Sequence, residues 1–267
     1  MSELKDNTTV LVSSSSNDTL PPPNSTKRKD YLAFKTSDLY KAGAEFIGTL
    51  FFIFMALTAV QASLGLSETK IQTEKFGADS IVLIAASFGL ALMSSIAMVG
   101  NISGGHLNPA VTIGLFAIGE ISAPAAVFYI IAQTIGACVG AAFADLVSAG
   151  PLFGYNAVQT NSTVGSVFGA EVLMTFVLVM VVFKSAVDTQ MDSGFAPVLI
   201  GFAVFALHLS GVTIDGTSIN PARSFGAAAV AGKWDDQWVF WVGPILGGLL
   251  AAGCFTVFNN LKKLSKN

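Results

Sequence analysis

Ser103-Gly104-Gly105-His106-Leu107-Asn108-Pro109-Ala110 and Gly216-Thr217-Ser218-Ile219-Asn220-Pro221-Ala222-Arg223-Ser224 are two versions of one short text. Each holds Asn-Pro-Ala, each follows an apolar run, and each opens a helix-compatible stretch. Asn-Pro alone is an ordinary turn signal; found twice in the same setting, it is a repeat. Asn favours the position that caps a helix, and Pro suits the first helical position, where no N–H is needed. Asn108 is therefore read as the cap of a helix starting at Pro109, and Asn220 of one starting at Pro221. The apolar stretches that follow, to about Ile118 and about Val230, are too short for the roughly 20 residues a bilayer crossing needs. A segment that enters a membrane and stops is tolerated only where protein or water satisfies its backbone. Paired interruptions at matching places in two halves point to a permeation or binding site near the midplane.

Working outward, the chain is apolar enough for this reading: 52% of its 267 residues are hydrophobic and 12% charged. Full-length spans are predicted over about 41–62, 80–100, 123–148, 165–183, 195–212 and 238–258. The fold class is thus an all-α membrane protein of six transmembrane helices plus two re-entrant half-helices. Gly43-Ala44-Glu45 and Gly169-Ala170-Glu171 echo one another at the first and fourth spans. Three spans per half is an odd number, so the halves must be inverted relative to each other. Gly136 with Gly140, and Gly243 with Gly247, form the small-residue spacing that lets membrane helices approach closely. The domain reading is a polar, disordered N-terminal tail over 1–38, a membrane domain over 39–258 with halves of about 39–150 and 165–258, and a short basic tail over 259–267.

Lysine and arginine orient the chain. The tails and the 184–194 loop carry most of them, Lys27, Arg28, Lys29, Lys184, Lys262 and Lys263 included, whereas the other side holds Lys70, Lys75 and Lys233. Both termini are predicted to be cytoplasmic, so the half-helices enter from opposite faces and meet N-terminus to N-terminus. A net charge of −3 argues against nucleic acid as a partner. Cys138 and Cys254 lie in apolar runs and read as small buried residues, not as a disulfide or metal site. No nucleophile is paired with a base, so an enzyme is not expected, nor a cofactor or a metal.

These residues resemble the aquaporin (major intrinsic protein) family, over roughly residues 40 to 258, with both Asn-Pro-Ala boxes unsubstituted. The resemblance implies a passive, water-selective channel. Single-file water would pass while paired half-helix ends and an aromatic/Arg constriction exclude protons and ions. It implies pore boxes at Asn108, Pro109, Ala110 and at Asn220, Pro221, Ala222, and a selectivity filter of Phe88, His208, Thr217 and Arg223. Arg223 is also singled out by chemistry, because an arginine at membrane depth is costly and functional by default; an ion pair with Asp215 is its structural rival. Glu45 and Glu171, read as proton-relay groups, would suggest a transporter; the resemblance makes them supports that accept backbone N–H bonds of the box loops. His106 is expected to hydrogen-bond the re-entrant loop backbone, with pH sensing as its alternative. Glycerol-conducting relatives carry Asp directly after the arginine; Ser224 stands here, followed by Ala228 and Phe240-Trp241, as in water channels. The family also implies a homotetramer in the lipid bilayer, each subunit with its own pore.

Competing readings are a coupled transporter, a closed-pore junction or scaffold protein, and a channel for a broader set of small neutral solutes. Gating is assigned to the N-terminal tail or the 184–194 loop, with Ser13, Ser14, Ser15, Ser16, Ser185 and Thr189 as candidate phosphorylation sites. Asn161 begins a glycosylation sequon on the predicted outer side. The housing membrane is read as the plasma membrane or that of an intracellular vesicle or vacuole. Because Thr217 stands at the filter position where the family often has a mercury-reactive cysteine, mercurials should inhibit water flux only weakly. A strong block of the wild type that is lost in Cys138→Ser or Cys254→Ser would contradict this.

Overall fold

A computed structural model describes residues 31–65, 77–148, 151–188 and 193–265; Ser13 to Ser16 and Thr189 fall outside them. In chain order the α-helices that build the membrane domain are α1 (Thr36–Gly65), α2 (Ala78–Ser103), α3 (Pro109–Ala117), α4 (Ala123–Val147), α5 (Val164–Val182), α6 (Ala196–Asp215), α7 (Pro221–Ala231) and α8 (Val239–Leu264). Six of them, α1, α2, α4, α5, α6 and α8, are long and apolar enough to cross a membrane. The other two, α3 and α7, have nine and eleven residues.

Local chemistry sets the ends. Both α2 and α6 stop at a glycine in the left-handed region, Gly104 at φ 97° and Gly216 at φ 84°. There the glycine N–H bonds back to Gly100 and Val212, and the chain turns into the box loop. Ser122 accepts from the Ala125 N–H at the start of α4, and Thr163 closes a reciprocal capping box with Ser166 at the start of α5. The exposed Asn161 sits in the turn just before that cap.

The packing is a two-fold pattern. Helix α1 lies against α2 and α4, and α5 in the same way against α6 and α8. Each half-helix packs against the last span of the opposite half: α3 on α8, α7 on α4. The halves also meet where α2 crosses α6. A Cβ on Gly89 would lie 2.6 Å from the Gly201 carbonyl oxygen, and one on Gly201 2.8 Å from that of Gly89. The two glycines hold the same place ahead of their respective Asn-Pro-Ala boxes, so the repeat crosses itself glycine on glycine. In lipid, where apolar burial drives little, such close backbone contact is what holds helices together.

The helices run past the predicted spans. Helix α1 starts at Thr36, inside the stretch read as a disordered tail, and α8 continues to Leu264. Hydropathy marks only the part of a helix that lies in hydrocarbon; once a helix is nucleated, each added turn costs little. Tyr31 also reaches back to the membrane domain. The Tyr31 hydroxyl donates to the Phe116 carbonyl at the end of α3, and the two rings stack at 5.3 Å. Ser185 differs from its reading as a phosphorylation site. It lies in a π-helical turn, Phe183–Val187, buried, with its hydroxyl donating to the Val181 carbonyl.

A Cβ on Gly136 would stand 2.5 Å from the Phe46 carbonyl oxygen of α1, whereas one on Gly43 would meet nothing within 4 Å. Gly136→Val should lower the thermal unfolding midpoint in detergent, at an overpacking cost of about 1–3 kcal/mol. Gly43→Ala should leave it unchanged or slightly raised. Equal midpoints for the two variants would refute close backbone approach at Gly136.

Candidate functional site

The half-helices α3 and α7 meet through their caps. Asn108 Oδ1 accepts from the Ala110 N–H at 2.8 Å, and Asn220 Oδ1 accepts from Ala222 and Arg223 at 3.0 and 3.2 Å. Each side chain is thereby turned so that its amide nitrogen faces the other half. Asn108 Nδ2 donates to the Ile219 carbonyl at 2.7 Å, and Asn220 Nδ2 donates to the Leu107 carbonyl at 2.8 Å. An amide nitrogen carries two hydrogens. One is used in this crossed pair, and the second stays available on each asparagine.

The crossing needs an unusual backbone. Leu107 and Ile219, which present the two carbonyls, sit at φ 51° and 45°, and Thr217 at φ 54°. Left-handed backbone costs a non-glycine residue roughly 1–2 kcal/mol and makes a β-branched one a genuine outlier. Two buried glutamates hold these loops. Glu45 accepts the N–H groups of His106 at 2.9 Å and Leu107 at 2.7 Å. Glu171 accepts those of Ser218 at 2.8 Å and Ile219 at 2.7 Å. A hydrogen bond contributes about 0.5–1.5 kcal/mol net, so two per loop are of the size of the strain they hold. Glu45 has two further donors, Ser103 Oγ at 2.6 Å and Gln133 Nε2 at 2.8 Å.

His106 departs from its sequence reading. Its backbone N–H reaches Glu45, but its ring Nδ1 pairs with Thr112 Oγ1 at 3.1 Å and its edge meets Tyr129. Thr112 lies one turn into α3, and its hydroxyl also accepts from Gln133. A cavity of about 250 Å³ lies on this side, lined by Leu92, Ile96, His106, Val111 and Leu178 and reaching Asn108 and Asn220.

Phe88, His208 and Arg223 come together in the second box's surroundings, all buried. The Phe88 and His208 rings stack at 4.2 Å, and the Arg223 guanidinium carbon lies 4.7 Å from the Phe88 centroid. His208 Nδ1 is 2.9 Å from the Val204 carbonyl, which can only accept; Nδ1 therefore carries the hydrogen and Nε2 is left without a partner. Arg223 donates through Nη1 to the Gly154 carbonyl and Asn156 Oδ1, both at 2.6 Å, and through Nη2 to the Gly216 carbonyl at 3.1 Å. All three acceptors are neutral, and among the described residues Arg223 forms no ion pair with Asp215. Thr217 is fully buried beside that Gly216 carbonyl, its hydroxyl unpartnered like Arg223 Nε.

Several residues of this site were not singled out from the sequence. Gln133 had a signal, a polar side chain inside an apolar span. Asn156 had none. It sits in an irregular loop, yet it is buried and ties Arg223, Ser224 Oγ and the Asp215 carbonyl together.

Comparison with known proteins adds a family. A family model described as "Major intrinsic protein" matches residues 33–255. The probable aquaporin PIP2-8 of Arabidopsis thaliana is 41% identical over 246 residues, covering 87% of this chain and 85% of its own length. An aquaporin PIP-type of Atriplex canescens is 43% identical over 222 residues, 78% of this chain and 76% of its own. The X-ray structure of the aquaglyceroporin from Plasmodium falciparum superposes with a TM-score of 0.70 at 20% identity, over 81% of this chain and 94% of that one, a likeness of fold.

Glu45→Gln tests the support directly. One amide oxygen cannot serve four donors, and its NH₂ would face N–H groups. The variant should melt lower by the about 1–3 kcal/mol of an unsatisfied buried group and conduct less. Wild-type melting would show that Glu45 does not hold the first loop.

Proposed function

We propose, from the premise that this chain belongs to the major intrinsic protein family, that it is a passive water-selective channel whose narrowest part is formed by Phe88, His208, Thr217 and Arg223. The observation that carries the reading is the crossed Asn108–Asn220 pair at the meeting point of two helix N-termini.

Each helix N-terminus carries about half a positive charge and unsatisfied N–H groups. Two of them facing each other make a positive centre, as is general for aquaporin-type pores, where half-helix ends and an arginine exclude protons and cations. The free amide hydrogens of Asn108 and Asn220 donate to the oxygen of a passing water. A water held through its oxygen by both points its own hydrogens away from the centre, and the chain of hydrogen bonds that would relay a proton is broken there. Water itself moves on, because neighbouring waters and wall groups take up its bonds in turn.

At the constriction, His208 Nε2 and the Thr217 hydroxyl offer acceptors and Arg223 Nε a donor, replacing part of the hydration a water gives up. The Phe88 ring supplies an apolar wall that larger solutes cannot compress. Neutral acceptors around Arg223 leave its charge uncancelled at close range, which favours cation exclusion. The chain is an integral multi-pass membrane protein. We place both termini in the cytoplasm, by the lysine and arginine bias, and the functional unit as a homotetramer in the plasma membrane or an intracellular vesicle or vacuole membrane.

Liposomes holding the full-length protein should shrink fast under an osmotic step while taking up glycerol no faster than empty ones. Phe88→Ala with His208→Ala should raise glycerol uptake by about tenfold, equivalent to about 1.4 kcal/mol of barrier. Glycerol uptake matching water flux in the wild type would sink the water-selective reading.

A further inference from the structure

Arg223 has no counterpart in the repeat: the residue in its place after the first Asn-Pro-Ala box is Val111. Two of its three acceptors have none either. The Gly154 carbonyl and Asn156 Oδ1 come from the segment that links α4 to α5, between the halves. The far end of that segment is tied to the second half. Asn156 Nδ2 and the Ala157 N–H both donate to the Asp215 carbonyl at 3.1 Å, and the Gln159 N–H donates to that of Ile214 at 3.3 Å.

The near end is tied to the first half. Gln61, close to the C-terminal end of α1, donates through Nε2 to the Pro151 carbonyl at 2.9 Å and accepts the Phe153 N–H through Oε1 at 3.1 Å. These partners fix which way the amide points, because a carbonyl only accepts and a backbone N–H only donates. The side chain thus clasps the loop on either side of Leu152, which is buried. Leu57 and Val60 lie on the same face of α1 as Gln61, at helical spacing. They form the floor under Gly154: a Cβ there would stand 2.9 Å from Leu57 Cδ2 and 3.4 Å from Val60 Cγ1. Gly154 itself is at φ 89°, backbone that favours glycine. The clasped N–H is one residue before Gly154, and Arg223 Nη1 bonds the Gly154 carbonyl at 2.6 Å.

We propose that Gln61 is a positioning residue for Arg223: its side-chain amide sets where the Gly154 carbonyl stands, and so where the guanidinium is held. Leu57 and Val60 block movement of Gly154 towards α1, and the clasp blocks movement away from it. Polar groups in a site keep their geometry only when their partners are themselves held. Without the clasp the loop lifts, and Arg223 keeps Asn156 and the Gly216 carbonyl but loses a fixed third acceptor. The opening beside Phe88 and His208 then no longer has one size. The first half of the chain thereby sets the selectivity of a filter whose arginine belongs to the second. The flux consequence rests on the channel reading; the placement of Arg223 is measurable whether or not the protein conducts.

Arg28 and Arg223 are the only arginines of the chain, so Arg28→Lys leaves Arg223 as a single guanidinium for magnetic resonance. In that background, with ¹⁵N-labelled arginine and the full-length protein in lipid vesicles, Nη1 and Nη2 of Arg223 should give separate signals, because both are bonded and cannot exchange by rotation. Gln61→Met, similar in length but without the amide, should shift or merge them. Ala62→Met, on the exposed side of α1, should not. Gln61→Glu keeps the acceptor for Phe153 and loses the donor to Pro151, and should fall between. In uptake assays Gln61→Met should raise urea entry relative to water flux by about threefold, the size of one lost hydrogen bond, at a thermal midpoint near that of the wild type. Arg223 signals unchanged in Gln61→Met overturn the proposal, whatever the flux. Should that variant not fold, the wild type decides: a Phe153 N–H that exchanges with deuterium as fast as a free loop amide means there is no clasp. A wild type that conducts no water overturns the channel reading, while the Arg223 signals still decide the role of Gln61.

Discussion

Two hydrogen bonds join the halves of this protein at its centre: the amide of Asn108 to the carbonyl before Asn220, and the amide of Asn220 to the carbonyl before Asn108. Almost everything near the midplane follows from them. For each asparagine to reach across, its helix must start at the following proline and its Oδ1 must be occupied by that helix's own N–H groups. For each carbonyl to be reachable, the residue that bears it must take left-handed backbone. A re-entrant chain inside a membrane is thereby satisfied by protein, as the absence of water demands.

That geometry is held from behind by acids. The strain of Leu107, Thr217 and Ile219 is modest per residue but would not persist in free loops. Glu45 and Glu171, each buried and each accepting two backbone N–H groups, offset it with those hydrogen bonds. The second loop does more than the first, since it also positions Arg223. Its extra parts, Asp215 and Asn156, connect the backbone turn to the guanidinium through two side chains. Selective conduction in this reading depends on neutral acceptors and buried supports set around one cation, not on ion pairs.

Glycine makes the approach possible. The half-helix of each half rests on the last span of the other, and the spans cross at Gly89 and Gly201 and along Gly136. A side chain at these points would push the helices apart and move the asparagines out of range of each other. The packing of the whole bundle and the distance across its centre are therefore one constraint.

The sequence by itself determined the class of fold. Apolar runs of spanning length, two capped half-length helices and an odd number of spans per half leave one arrangement, and the repeat of Gly-Ala-Glu and Asn-Pro-Ala marks its symmetry. It also pointed to the asparagines, the glutamates and Arg223, because caps and polar groups in apolar surroundings are visible one residue at a time. What only the tertiary structure decided are relations between distant segments. The crossed amide bonds join residues more than a hundred positions apart, His106 pairs with Thr112 instead of loop backbone, Tyr31 bonds the end of α3, and Asn156 is recruited from an unpatterned loop to carry Arg223. Periodicity and capping are local rules that a sequence states in order along the chain. A hydrogen bond between loops depends on where packed helices bring their ends, and that is written in no single stretch.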